Sequence, residues 1–368
     1  MEAWKIVLIV FSALILFLII LFFVIGEVCE NISMRRNCFI GKIVVNDFCR
    51  ANEKYKIDYK WWDNIKIETC EYKSFDGLKL KSKIIKLEDN VKNINPNILG
   101  YWDKKVLKKN KNDEKEVLLQ ETNEPTFSHS ATVLQNLKKN VEGYKKNKVR
   151  VAVVIHGYMN IYKDMQRFAK MFLELGFNVV LPECRGHGES EGKFIGMGWP
   201  DRKDVQVAIK RAIKIFGEDC EIVVFGVSMG GATTCMLSGE DNLQNIKCFV
   251  SDCAYTSIYE QIKYVIDKQT PLPVFPTLQI FNVFQKIKTG YSLKDGDSRV
   301  QLEKCDKPIL FIHGSADNFV PFHMLAELVV HAKNNEVLIV DGADHAESQP
   351  YATQLYTETL INFLKKYI

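Results

Sequence analysis

The stretch Gly226-Val227-Ser228-Met229-Gly230-Gly231 places a serine among small residues, directly after the apolar run Glu221 to Phe225 and before a helical segment. A serine at such a strand-to-helix turn sits on a strained backbone that lifts its hydroxyl above a sheet. Small residues two before and two after it let the turn close. Gly226 and Gly230 occupy those places. The chemistry this suits is attack on a carbonyl. A hydroxyl is a weak nucleophile at neutral pH, so it needs a base, and the base needs a carboxylate to orient it.

With this kind of turn the acid and then the histidine follow the serine along the chain. Asp317 lies in His313-Gly314-Ser315-Ala316-Asp317-Asn318-Phe319-Val320-Pro321, just past the run Pro308 to Ile312, and His345 lies in Gly342-Ala343-Asp344-His345, just past Val337 to Val340. Asp252, after the run Lys247 to Val250, is a second candidate acid. The oxyanion of an acyl-transfer transition state also needs donors. His156-Gly157-Tyr158, after Val151 to Ile155, supplies a loop whose Tyr158 backbone N–H would pair with that of Met229. His156 precedes this donor, and His187 has no acid following it at a strand end, so both read as structural. Only a neutral His345 can take the serine proton, so the rate should rise with pH through an ionisation near the usual histidine value of about 6.5.

Positioning these residues requires a sheet. The runs Val151 to Ile155, Asn178 to Leu181, Glu221 to Phe225, Lys247 to Val250, Pro308 to Ile312 and Val337 to Val340 read as buried strands. Between them Tyr162 to Leu175, Pro200 to Phe216, Thr233 to Leu237 and Pro321 to Ala332 read as amphipathic helices. This alternation predicts a mostly parallel sheet covered on both faces, with the chemistry at its carboxyl edge. Ile65 to Leu87 alternates around Ser74-Phe75-Asp76-Gly77 and reads as a β-hairpin that opens the catalytic domain, residues 65–368. From about 88 to 148 the chain is rich in Lys and Asn and reads as a solvated insertion, with a short helix near Ala131 to Lys139. From about 255 to 304 the rhythm pauses, as for a small helical cap. Trp199, Phe275 and Phe281 are the candidate substrate-binding aromatics, against the alternative that each simply packs.

Ile6 to Ile25 is apolar except for Ser12 and, at about 1.5 Å per residue, reaches about 30 Å, the depth of a bilayer core. Residues 1–26 therefore read as a single-pass membrane anchor, with 27–64 as a juxtamembrane segment. The run ends in Gly26-Glu27-Val28-Cys29, without the small-residue site of a cleaved signal peptide. Arg35, Arg36 and Lys42 after the helix lean towards a cytoplasmic body, whereas a short tail before a long apolar run suits an exported, anchored enzyme. The side stays open.

A net charge of +4 on 49 basic and 45 acidic residues gives no strong field for nucleic acid. The ten cysteines form no C-x-x-C pair and no zinc-finger spacing, so metal binding is not expected. Their scatter suits reduced, mostly buried thiols, with pairing among Cys29, Cys38, Cys49 and Cys70 open to an extracellular chain.

Together, His156-Gly157-Tyr158, Arg185-Gly186-His187-Gly188-Glu189-Ser190, Gly196-Met197-Gly198-Trp199, Gly226 to Gly231, Ser251-Asp252-Cys253-Ala254-Tyr255 and the Asp317 and His345 segments resemble the α/β-hydrolase superfamily. Within it they are similar to the serine-aminopeptidase and monoacylglycerol-lipase-like branch, and especially to membrane-bound hydrolases of Gram-positive bacteria. The resemblance covers about 65–87 and 150–368 and favours Asp317 over Asp252 through Val320-Pro321. It implies an α/β-hydrolase fold and a triad of Ser228, His345 and Asp317 that cleaves a carboxylic ester, lipid or small, without a cofactor. An aminopeptidase or amidase is the nearest alternative, and a catalytically silent membrane-tethered binding protein is the alternative from another class.

Overall fold

A computed structural model describes residues 3–36, 38, 54–55, 60–90, 148–240 and 244–368. Most of the Lys/Asn-rich insertion, including the helix expected near Ala131 to Lys139, lies outside these residues. The chain begins with helix α1 (Ala3–Ser33), followed by the antiparallel pair β1 (Glu68–Lys73) and β2 (Lys79–Ile85). The remaining strands are β3 (Arg150–Ile155), β4 (Asn178–Pro182), β5 (Glu221–Val227), β6 (Ile246–Asp252), β7 (Ile309–Gly314) and β8 (Asn335–Val340). They join one sheet in the order β1-β2-β4-β3-β5-β6-β7-β8, parallel from β4 onward.

Side-chain alternation explains why the sheet is covered twice. Val151, Val153 and Ile155 of β3 enter one core with Ile222, Val224, Phe249 and Phe311, while Ala152 and Val154 enter the other with Val223, Phe225, Val250 and Leu310. Helices α2 (Gln166–Glu174), α3 (Asp201–Phe216) and α4 (Met229–Ser238) follow β3, β4 and β5 in turn. α3 carries Asp201 and Asp204 in its first turn, where the helix dipole favours acids, and ends at Gly217 with φ 107°. After β6 come the helices α5 (Ile258–Gln269) and α6 (Val274–Thr289) and the short α7 (Ser298–Leu302). α8 (His323–His331) follows β7, and α9 (Thr353–Tyr367) closes the second core with Tyr356, Leu360, Ile361 and Phe363.

Among the described residues α1 is the one helix long and apolar enough to cross a membrane. It does not stop at Gly26, where the apolar run ends. Its 31 residues span about 46 Å, some three turns more than a bilayer core requires. Those extra turns dock on the catalytic domain. The Phe284 ring of α6 lies against Gly26, where a Cβ would come within 2.3 Å of it, and Phe22 and Phe23 stack edge-on against the same ring. Past the helix, Met34 is fully buried in the first core and its carbonyl accepts from the Ile195 N–H at 2.7 Å. The Arg36 guanidinium donates to the carbonyls of Ser190 and Gly188. Burying a methionine contributes about 1.5–3 kcal/mol, so this part of the expected juxtamembrane segment is a packed piece of the domain.

Candidate active site

Ser228 sits between β5 and α4 at φ 57°, ψ −118°, a left-handed conformation that costs a non-glycine residue about 1–3 kcal/mol. The surroundings hold it there: its N–H donates to the Asp252 carbonyl at 2.8 Å, and its own carbonyl accepts from the Ala232 N–H at 2.9 Å. The flanking glycines are sterically required. A Cβ on Gly226 would lie 2.0 Å from the Gly230 carbonyl oxygen, and one on Gly230 would lie 2.2 Å from that of Ile155.

The loops leaving β7 and β8 bring Asp317 and His345 to this serine. His345 Nε2 is 2.9 Å from Ser228 Oγ, and its Nδ1 is 2.7 Å from Asp317 Oδ2. Nδ1–H therefore donates to the carboxylate, leaving Nε2 free to accept the hydroxyl proton. The other Asp317 oxygen accepts the N–H groups of Phe319 and Val320 at 2.9 and 2.8 Å. Burial alone would raise the Asp317 carboxyl, but His345 and His313 beside it outweigh this and hold it well below the usual carboxylate range. Burial likewise would push the His345 imidazole down, and the Asp317 carboxylate reverses this and holds it well above its ordinary value. Asp252 faces elsewhere. It is buried, pushed up to about 6 by that burial, and accepts from the Tyr356 hydroxyl.

Tyr158 lies in the turn after β3, and Met229 is the first residue of α4, where helix geometry leaves the N–H without an intrahelical acceptor. The Met229 side chain is fully buried. His156 and His187 pin this region from beneath. His156 Nε2 accepts the Cys184 N–H and His187 Nε2 accepts the Met159 N–H, both at 3.0 Å, while each Nδ1 faces a backbone carbonyl. Burial pushes His156 down to about 4 and His187 to about 3, so both are neutral at pH 7.

A small cavity opens at Ser228, lined by Ser33, Tyr158, Met197, Tyr255, Gln261, Ile262, Val265 and Phe319. None of the three expected substrate-binding aromatics is in this lining. Phe275 is 74% exposed on α6, and Phe281 is buried in the core. Trp199 is a packed anchor with the Arg202 guanidinium 3.3 Å from its ring centroid. The wide apolar surface of α6 has another explanation: one stripe packs on the body and a second receives α1. Of the lining residues missed in the sequence, Gln261, Ile262 and Val265 come from α5, whose Ile258, Ile262, Val265 and Ile266 follow helical spacing. That stripe was the available signal.

Cys253, Asp317 and His345 bring their ligand atoms within 4.8 Å of one another. Burial pushes the Cys253 thiol up to about 11, so without a partner cation it stays protonated. The nine described cysteines are free thiols.

Residues 146–299 match the family model for the serine aminopeptidases, S33. The protein YqkD of Bacillus subtilis (strain 168) is 27% identical over 214 residues, 58% of this chain and 70% of that one. Among solved structures, esterase Pf2001 of Pyrococcus furiosus superposes with TM-score 0.55 at 17% identity, covering 84% of this chain and 96% of its own. An acylaminoacyl peptidase of Pyrococcus horikoshii reaches TM-score 0.52 at 14% identity, over 85% of this chain and 44% of its own. With the eight-stranded sheet and the serine turn already described, these likenesses show that the chain has the α/β-hydrolase fold.

Proposed function

We propose that this chain is a serine hydrolase that cleaves carboxylic esters of apolar acyl groups at a membrane surface. The observation that carries the reading is the relay Ser228–His345–Asp317, with links of 2.9 and 2.7 Å, at the mouth of an apolar cavity. Ser228 Oγ attacks the ester carbonyl as its proton passes to His345 Nε2, and the backbone N–H groups of Tyr158 and Met229 receive the oxyanion. Collapse breaks the bond to the alcohol oxygen, which takes the proton from Nε2. Water then repeats the sequence on the acyl-enzyme and frees the acid.

An aminopeptidase must seat a free α-ammonium, which in an apolar cavity needs a carboxylate partner. Among the described residues lining the cavity there is none, and Asp317 is committed to His345. This favours neutral acyl groups over amino-terminal residues. The fold of the neighbouring esterase and peptidase is common to both activities and does not decide between them.

A panel of p-nitrophenyl esters of increasing chain length, run beside aminoacyl anilides, tests the substrate class: turnover of the anilides alone sinks the ester reading. A fluorophosphonate probe tests the chemistry. Labelling should appear in the wild type and vanish in Ser228→Ala; folded wild type that stays unlabelled would be a binding protein on this fold.

A further inference from the structure

We infer that the end of α1 is a positioning element of the active site: through the Tyr158 hydroxyl it fixes the backbone N–H that receives the oxyanion. This rests on the serine-hydrolase reading above. The Tyr158 hydroxyl donates to the Ser33 carbonyl at 2.5 Å, and the Cys38 thiol lies 2.7 Å from the same oxygen. A phenol has one proton to give, so with Ser33 taking it, Cys38 is the donor in the second contact. Burial pushes the phenol further up, so it is neutral and remains a donor throughout the working range.

Ser33 is the last residue of α1, and its carbonyl is one of the helix-end acceptors that no later turn satisfies. Tyr158 supplies the missing donor. The turn at 156–160 is held from beneath by the imidazoles of His156 and His187. From outside, the α1 end holds it through the Tyr158 side chain. That end is itself fixed, by buried Met34, by Arg36 on the carbonyls of Gly188 and Ser190, and by Glu27 against Lys288 of α6 at 3.3 Å. Ser33 also lines the cavity beside Ser228. The helix therefore serves as a wall and a brace of the site as well as an attachment.

Removing a whole oxyanion donor costs about 10²–10³ in kcat. Losing the brace keeps the donor but loosens it, so the expected loss is about tenfold. The test uses the full chain in detergent micelles, with wild type, Tyr158→Phe, Cys38→Ala and the double variant assayed on one p-nitrophenyl ester. Tyr158→Phe should lower kcat about tenfold with KM within about twofold, and should weaken a boronic acid, which forms a tetrahedral adduct on the serine, by a similar factor. Cys38→Ala should lower kcat by about threefold, and the double variant should be no worse than Tyr158→Phe, because the thiol acts through the hydroxyl. A folded Tyr158→Phe with wild-type kcat and boronate affinity, or a loss confined to KM, overturns the inference. Should Tyr158→Phe fail to fold, Cys38→Ala decides: lower kcat at constant KM supports the brace, and unchanged kcat refutes it. Wild type that neither turns over ester nor takes the fluorophosphonate label refutes the serine-hydrolase reading and the brace together. Labelled wild type beside an equally active Tyr158→Phe refutes the brace alone.

Discussion

The Asp252 carboxylate accepts a hydrogen bond from the Tyr356 hydroxyl at 2.9 Å, which ties the end of β6 to α9. Two acids thus stand at neighbouring strand ends with different partners. Exchanging the His345 partner for its amide, Asp317→Asn, should lower kcat by about 10⁴ while circular dichroism shows an intact fold. Asp252→Asn should change kcat far less and cost about 1 kcal/mol of stability through the altered bond to Tyr356. The reverse pattern in two folded variants would move the orienting role to Asp252.

The pH profile should sit higher than an isolated histidine would place it. Asp317 stabilises the protonated imidazole of His345, so the base form exists only above an ionisation raised beyond 6.5. The sign follows: kcat/KM is low below that ionisation and rises through it to a plateau. Measured against pH, a midpoint at or below the ordinary histidine value would mean that the carboxylate does not act on the imidazole as its 2.7 Å contact implies.

Acid should loosen the turn that carries Tyr158 before it protonates most carboxylates. His156 and His187 are held near 4 and 3 when folded, against 6.5 for the free side chain, so the unfolded chain binds these protons first. Their contribution is fully present above about pH 6.5 and is lost as pH falls towards 4, at up to about 1.4 kcal/mol per pH unit for each imidazole. Urea midpoints across that window should be steeper in wild type than in His187→Gln. The comparison separates the imidazoles from Asp204 and Asp252, whose raised values act in the opposite sense. Parallel curves would count against a neutral, load-carrying His187.

Two truncations should part company. Removing residues 1–26 takes away the exposed apolar stretch and leaves Met34, Arg36 and Cys38 in place, so the product should leave the membrane fraction and keep activity. Removing 1–38 should cost both stability and kcat. Fractionation and ester assays read the difference. Retention of the shorter deletion through a high-salt wash would show that the exposed apolar side chains of α6, Phe275, Val283 and Ile287, bind lipid by themselves.

The strands and the serine turn were legible because their signals are local. β3 to β8 are short β-branched runs, and the Gly226–Gly230 spacing answers a steric demand within one turn. The order of Asp317 and His345 was legible because loops at the carboxyl ends of parallel strands converge on one edge. The cavity was not, because its wall is assembled from α5, the loop after Asp317 and the end of α1. The bond from Tyr158 to Ser33 joins residues 125 apart, and no pattern in either neighbourhood announces it. Phe275 and Phe281 stand outside the cavity lining for a related reason: an apolar surplus on a helix shows that something covers it, and here the cover includes α1 as well as the body.

α1 passes from its exposed apolar turns into the catalytic domain without a break. With those turns embedded as proposed, the domain does not swing on a leash. Its orientation and the height of the cavity mouth above the lipid headgroups are set by a rigid rod. The enzyme then samples substrate by sliding with its anchor in the plane of the membrane, and a bulky or recessed ester beyond that fixed height stays out of reach however long the encounter lasts.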